Sequence, residues 1–222
     1  MNKYGQEYEL TNECLDTQVT ERLIPDKCAN KKVHKQVPEY IIIHEVSLGL
    51  GKTPSSYNLQ HYEEKIINDG LNGSEVGYHY LVSDKEIYHF IPDINATRHT
   101  GTDFNNYSIG IERLVNEDIY FPDALHNQAK LAATLMIKWQ IPISNVISHE
   151  QARILCNAEP KPCPNRMIDG QYGGFSLFYK EIKKCFENRD LFYEVIMEKY
   201  DPQNTIDEFI EKGMELKKEL NN

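Results

Sequence analysis

The sequence predicts an α/β domain in which a mixed central β-sheet is flanked by helices. A short apolar run rich in β-branched residues, EYIIIHEV (39–46), is typical of a strand buried on both faces. Two alternating segments meet at Ser83-Asp84-Lys85, which indicates a β-hairpin. A long amphipathic stretch follows Pro122. Strand and helix patterns that alternate along one chain predict three layers around the sheet.

The first half of the domain contains a strand, a helix and a hairpin. After the strand at 39–46, Leu59, Tyr62 and Ile66 recur at helical spacing, and Gly70 is expected to end that helix. VGYHYLVSDKEIYHFIP (76–92) then supplies the two strands of the hairpin.

The second half adds two strands around a long helix. SIGIERLV (108–115) predicts a strand, and NVISH (145–149) predicts a last short strand that ends, like the first, on a histidine. Between them, one helical stripe of apolar residues is formed by Leu125, Ala129, Ala132, Leu135, Met136 and Trp139.

Three regions are expected: an N-terminal arm with little regular structure (1–38), the main domain (39–186) and an acidic tail (187–222). The tail holds ten Asp/Glu and five Lys/Arg, and it predicts two amphipathic helices separated by Asp201-Pro202. The helices are expected to pack on the domain. A linker to a further module and a partner surface are the alternatives.

Composition excludes several classes of function. A formal net charge of −10 argues against a nucleic-acid-binding surface. No apolar run approaches the ~20 residues that span a bilayer, and MNKYGQEYELTNECLD lacks a secretory signal, so synthesis in the cytoplasm without membrane insertion is expected. The five cysteines have no tight spacing, which favours reduced thiols or a metal ligand over a disulfide scaffold.

Two histidines and one cysteine are candidate metal ligands. His44 and His149 stand where buried strands emerge, and ligand sites collect at strand ends in α/β sheets. In KPCPNR, prolines disfavour helical geometry at Lys161 and Cys163, so both are expected to be extended with their side chains on one side. A thiolate and two imidazoles would suit zinc and leave its fourth position for water.

Other interpretations remain open on the residues alone. Strand histidines are usually structural, as His79 and His89 are expected to be, and Cys163 could be a turn residue. Cys156 in QARILC is a rival thiol, although it is expected to pack as a small hydrophobe. The separations of the three candidate ligands match no short local motif.

Five fragments in order, IIIHEVS, VGYHYLV, NNYSIGIE, VISHE and KPCP, resemble the zinc-dependent N-acetylmuramoyl-L-alanine amidases of the type 2 family. This family includes phage endolysins, bacterial autolysins and the peptidoglycan recognition proteins. The resemblance runs from about residue 22 to about residue 183. It implies one zinc ion per chain and cleavage, by a zinc-activated water, of the amide between N-acetylmuramic acid and L-alanine in bacterial peptidoglycan.

The resemblance also assigns roles to single residues. His44, His149 and Cys163 match the family's metal ligands, and Lys161 matches the lysine that precedes the cysteine. Asn165 and Arg166 depart from the small residues that usually follow Cys-Pro, and the insert ILCNAEPKP is longer than in the shortest members.

Three further positions carry expected roles. Glu112 matches the glutamate expected to move protons, and Tyr78 and Lys161 are expected to stabilise the developing oxyanion. Alternation places Glu112 on the face of Gly110, where space for the substrate backbone is expected. His99 matches a region that lines the substrate groove. Without the resemblance, a surface ion pair of Glu112 with Arg113 or Lys85, a solvated loop for Lys161 and sheet packing for Tyr78 remain possible.

Two alternatives to an amidase remain: a muropeptide-recognition module that does not cut, and another zinc hydrolase with a superficial likeness. The presence of Cys163 favours the enzyme. An endolysin or autolysin without a signal would reach the cell wall after holin- or lysis-dependent release. The sequence does not set the oligomeric state.

Overall fold

The computed structural model describes residues 19–32, 37–46, 54–168, 170 and 173–186. The two helices predicted in the acidic tail lie outside these residues. The strands are β1 Val19–Glu21, β2 Tyr40–Ile43, β3 Tyr80–Val82, β4 Ile87–His89, β5 Ser108–Arg113 and β6 Val146–Ser148. The helices are α1 Leu59–Leu71, α2 Phe121–Trp139, α3 His149–Leu155, α4 Asn165–Ile168 and α5 Gly174–Phe186.

One mixed sheet joins all six strands in the order β1-β4-β3-β5-β2-β6. β3 and β4 form the antiparallel hairpin that the sequence predicts, and every other neighbouring pair is parallel. β3, β5, β2 and β6 therefore run in the same direction, and their carboxyl ends share one edge of the sheet. This edge carries the candidate site.

Helices cover both faces of the sheet, so the predicted α/β architecture is confirmed. α2 and α5 pack on the face that carries Ile41, Ile43, Ile109 and Ile111. α1 covers the opposite face around the hairpin, and α3 packs there beside β6. Each fully buried isoleucine contributes roughly 1.5–3 kcal/mol relative to exposure.

The arm expected to have little regular structure contains one short strand, since Val19–Glu21 pairs with β4 at the edge of the sheet. One prediction about local structure is wrong. His149 does not end a strand; it is the first residue of α3. Ser148 caps this helix, because its Oγ accepts a hydrogen bond from the Gln151 N–H (2.9 Å) while Gln151 Oε1 accepts one from the Ser148 N–H (2.9 Å).

A buried ion pair lies beneath the carboxyl end of β2. Arg113 Nη2 is 3.1 Å from Glu45 Oε2, and the Arg113 side chain is fully buried. The guanidinium also donates to Gln128 Oε1 (2.9 Å) and lies over the Phe121 ring. Gln128 in turn donates to the carbonyls of His44 and Ile111, so α2 holds the ends of β2 and β5 together.

We expect Glu45→Ala to lower the free energy of unfolding by about 3–5 kcal/mol, because it leaves the Arg113 charge buried without its partner. Urea unfolding followed by circular dichroism measures the change. Lys65→Ala, which breaks an exposed pair with Asp69, is the matched control and should cost less than about 1 kcal/mol. Equal losses in the two variants would contradict this prediction.

His79 is a structural residue, as expected. Its Nε2 donates to the Asn95 carbonyl (3.0 Å), and its Nδ1 accepts from the Gly110 N–H (3.0 Å), so it bridges β5 and the loop after β4. Burial lowers the pKa of His79 to about 4. The unfolded chain therefore binds a proton below about pH 6.5 that the folded protein accepts only near pH 4.

As a consequence, acid should destabilise the fold above the pH at which exposed carboxylates titrate. The contribution of His79 is complete above pH 6.5 and is lost as the pH falls towards 4, up to about 3 kcal/mol. Unfolding curves at several pH values, with chelator present, should show this slope. His79→Asn should reduce stability at pH 7 and remove the share of the slope that His79 contributes, whereas His126→Asn, at the surface between α2 and α5, should leave that share unchanged.

Candidate metal centre

Three predicted ligands meet at the carboxyl edge of the sheet. His44 follows β2, His149 begins α3 after β6, and Cys163 lies in a turn before α4. One ligand atom from each lies within 4.8 Å of the others, and Cys163 Sγ is 3.8 Å from His44 Nδ1. Because β2 and β6 are adjacent parallel strands, residues that follow them arrive at the same place. This group could hold a metal ion.

The outer nitrogen of each histidine is held by the protein. His149 Nε2 donates to the Thr100 carbonyl (3.1 Å), which leaves its Nδ1 as the acceptor nitrogen. His44 Nε2 lies 3.0 Å from His99 Nδ1, and its own Nδ1 faces Cys163. Both rings therefore present Nδ1 towards the centre of the group.

Neighbours of the two histidines in sequence hold the segment that carries the thiol. The N–H of Glu150, next to His149, donates to the Cys163 carbonyl (3.2 Å). Glu45, next to His44, accepts the Arg166 N–H (3.1 Å) and lies 3.4 Å from the Arg166 guanidinium. Consecutive residues of an extended chain face opposite sides, so His44 points to the centre while Glu45 reaches the segment from behind.

Burial sets the protonation of the three groups. It lowers the pKa of His149 to about 4 and that of His44 well below its usual value, with nearby histidines and Lys161 adding to the effect at His44. Both rings are neutral at pH 7 and offer lone pairs. Burial raises the pKa of the Cys163 thiol to about 12. A cation at the centre would favour the thiolate.

A carboxyl group stands beside the three ligands. Glu112 Oε1 lies 3.8 Å from His44 Nδ1, and Glu112 Oε2 is buried without a hydrogen-bond partner among the described residues. Burial raises the pKa of Glu112 to about 8; Lys161 opposes the shift and Glu45 adds to it. The surface pairing of Glu112 with Arg113 is absent, since Arg113 turns to Glu45 on the other face.

Two of the other predicted residues lie near this carboxyl group. Lys161 is exposed, and its charge acts on Glu112, His44 and His149. Tyr78 is partly buried with its ring 5.8 Å from that of Phe90. Burial, with the charge of Glu112 adding to it, raises the pKa of Tyr78, so its hydroxyl keeps its proton.

The space beside Gly110 is filled by the protein itself. A Cβ at this position would lie 2.7 Å from His99 Nδ1, so the expected room for a substrate backbone is occupied by an imidazole. Both ring nitrogens of His99 have protein partners, His44 and Ser108. A substrate contact at His99 stays a prediction. Cys156, the rival thiol, packs beside the cluster of Ile42, Phe104, Ile147 and Ala152 as a partly buried residue.

Sequence reasoning missed Glu45, Thr100 and Asn105. Thr100 acts through its backbone carbonyl, which any residue type would supply, so no sequence signal existed. Glu45 directly follows a candidate ligand at the end of a buried strand. A buried ionisable residue needs a charged or hydrogen-bonding partner, so this position in the sequence could have indicated a structural role for Glu45. Asn105 lies inside the fragment NNYSIGIE, but only the strand in this fragment was considered.

Known proteins resemble this chain in sequence and in fold. CwlA of Bacillus sp., an N-acetylmuramoyl-L-alanine amidase, is 32% identical over 108 residues; these make up 46% of this chain and 41% of CwlA, so the match spans about two fifths of that relative. A mutant endolysin from Bacillus subtilis superposes with a TM-score of 0.63 at 25% identity, over 75% of this chain and 99% of that one.

The hydrolase AmiA of Staphylococcus aureus, solved with its ligand, shares the fold, with a TM-score of 0.62 at 16% identity over 86% of this chain and 91% of AmiA. The family model described as Amidase_2, N-acetylmuramoyl-L-alanine amidase, matches residues 34–166, which is more than half of the chain and contains His44, His149 and Cys163. The chain therefore belongs to the Amidase_2 family of N-acetylmuramoyl-L-alanine amidases.

Proposed function

We propose that this chain is a zinc-dependent N-acetylmuramoyl-L-alanine amidase that cleaves bacterial peptidoglycan, as an endolysin or an autolysin. Its substrate bond is the amide between the lactyl group of N-acetylmuramic acid and L-alanine of the stem peptide. The observation that carries the proposal is the convergence of His44, His149 and Cys163 within 4.8 Å, beside a buried carboxyl group, in a member of this family.

The donor set fits zinc. In a tetrahedral zinc site with bonds of about 2.0–2.3 Å, neighbouring ligand atoms lie roughly 3.3–3.6 Å apart, close to the 3.8 Å between Cys163 Sγ and His44 Nδ1. Two neutral imidazoles and one thiol are also zinc's preferred donor types. When bound, zinc supplies a Lewis acid that polarises a carbonyl and makes a water nucleophilic at neutral pH.

Glu112 is the proposed general base and acid. A carboxyl group whose pKa lies near the working pH can accept a proton from water and return it to the leaving amine. Its Oε2 has no partner among the described residues, so this oxygen can receive the proton without breaking a hydrogen bond.

Lys161 and Tyr78 are proposed to stabilise the negative charge that develops on the carbonyl oxygen of the substrate. Lys161 provides a positive charge from an exposed segment, and Tyr78 provides a hydroxyl donor held in the protonated form by burial. Preorganised donors of this kind act where charge develops in the transition state.

Residues 39–186 are proposed as the catalytic domain, and 1–38 and 187–222 as its flanking segments. Within the described residues, no helix combines the length and apolar character that a bilayer crossing needs. The protein is proposed to act on the cell wall after holin- or lysis-dependent release, without contacting nucleic acid or inserting into a membrane.

The test is digestion of purified peptidoglycan with end-group analysis. An amidase releases new L-alanine amino termini and no new reducing sugars, and a chelator should stop the release. Reducing ends would identify a glycosidase instead. Binding to the walls without any new termini would favour the recognition module.

A further inference from the structure

We propose that His99 and Thr100, held in place by Asn105, form one outer shell that fixes both histidine ligands in the orientation that binds the metal through Nδ1. His99 is then a positioning residue that acts through His44. The inference rests on the proposed metal site. This positioning role differs from a substrate contact at His99, which would need a ring nitrogen of His99 directed at the substrate.

Ser108, His99 and His44 are linked by hydrogen bonds, and the Phe104 carbonyl at one end of this chain sets the direction of each bond. Ser108 Oγ donates to the Phe104 carbonyl, which can only accept, so Ser108 Oγ accepts from His99 Nε2 (3.1 Å). A neutral His99 with its proton on Nε2 has a lone pair on Nδ1. This lone pair accepts the proton of His44 Nε2 (3.0 Å), which leaves His44 Nδ1 as an acceptor facing Cys163.

The adjacent residue does the same for the second histidine. The Thr100 carbonyl accepts the His149 Nε2 proton at 3.1 Å and also accepts from Arg153 Nη1 at 3.0 Å. Consecutive residues of one loop therefore fix the tautomers of both histidines. Partners of this kind orient metal-binding imidazoles and raise their basicity.

Asn105 anchors that loop through one atom. Its Oδ1 accepts hydrogen bonds from the N–H of His99 (2.9 Å), the N–H of Thr100 (2.8 Å) and the Thr100 hydroxyl (2.9 Å). Gly110 completes the arrangement, because a Cβ at this position would meet His99 Nδ1, so glycine leaves room for the ring. Loss of the Asn105 hydrogen bonds, or of the space at Gly110, should displace the His99 ring.

The experiment measures zinc affinity by competition with a chromophoric chelator, on folded protein checked by circular dichroism. His99→Leu removes the acceptor for His44 and should weaken zinc binding about 10–100-fold. His99→Asn places an amide oxygen near the position of Nδ1 and should stay within about threefold of the parent. Cobalt substituted for zinc should show altered absorption bands only in the leucine variant.

Two further variants keep the proposal testable if His99→Leu does not fold. Gly110→Ala should weaken zinc binding in the same range by displacing the ring, and Asn105→Leu should do so while Asn105→Asp, which retains the acceptor oxygen, does not. His126→Asn, a surface change, should bind zinc as the parent does.

The outcomes separate this proposal from the proposed function. A parent protein that binds no zinc would overturn both. A parent that binds zinc together with a folded His99→Leu variant of equal affinity would overturn only the positioning role. Equal affinity with reduced cleavage would restore the substrate contact at His99, and equal loss in the leucine and asparagine variants would exclude the acceptor role.

Discussion

Replacing Cys163 by serine is expected to reduce peptidoglycan cleavage below about 1% of the parent activity, because a serine hydroxyl does not ionise as a thiol does to bind zinc. The change is nearly isosteric. The contacts that hold this segment, from Glu150 to the Cys163 carbonyl and from Glu45 to Arg166, involve no Cys163 side-chain atom and should persist. A loss of activity would then result from the loss of the zinc ligand and not from unfolding of the protein.

Turbidity of a cell-wall suspension, with zinc content measured on the same samples, checks the prediction. Cys163→Asp is the matched control, since an ionised carboxylate can replace the thiolate as a zinc ligand and should restore part of the activity and the metal. Cys156→Ser should leave both unchanged, because that thiol lies outside the ligand group. Lysis that persists in Cys163→Ser and in the presence of chelator would refute the zinc amidase.

Replacing Glu112 by glutamine should lower kcat about 10²–10⁴-fold while zinc binding and stability stay close to the parent. The amide has nearly the same shape but cannot accept the proton of the attacking water. Folding should tolerate the change, since Glu112 Oε2 makes no hydrogen bond among the described residues and burial disfavours the charged form.

Release of alanine amino termini, zinc titration and thermal unfolding together check the role of Glu112. Glu117→Gln, which alters an exposed carboxylate after β5, should keep full activity. If Glu112→Gln loses its metal along with its activity, Glu112 supports the ligands and does not transfer protons. Full activity in this variant would assign proton transfer to another group.

Patterns along the chain predicted the elements that have strong periodicity. Three elements were predicted from local sequence alone: the strand at IIIH, the hairpin around Ser83-Asp84-Lys85 and the helix α2 with its apolar stripe. Each has a periodic pattern because its apolar side chains are buried within the sheet or against it. β1 was missed because three residues carry no pattern, and pairing with β4 forms it. In α5, Phe178, Ile182 and Phe186 recur every four residues, which was a usable helix signal.

The candidate site was predicted less completely than the fold. Ligand types and strand ends pointed to His44, His149 and Cys163, and the resemblance supplied Glu112. The supports could not be predicted in the same way, because they depend on a backbone carbonyl at Thr100 and on an asparagine oxygen shared by three donors. Such partners are set by how loops lie in space.

The segment that carries the Cys163 thiol is attached at two points, to Glu150 on one side and to Glu45 on the other. Its position therefore does not depend on the residues that lead into it from α3. Residues 157–160 need only bridge the gap between α3 and a thiol segment that is already fixed, and Glu159 and Pro160 among them are exposed. These residues can therefore be lengthened, shortened or exchanged for those of another amidase while Cys163 stays in position, provided that Lys161 is kept.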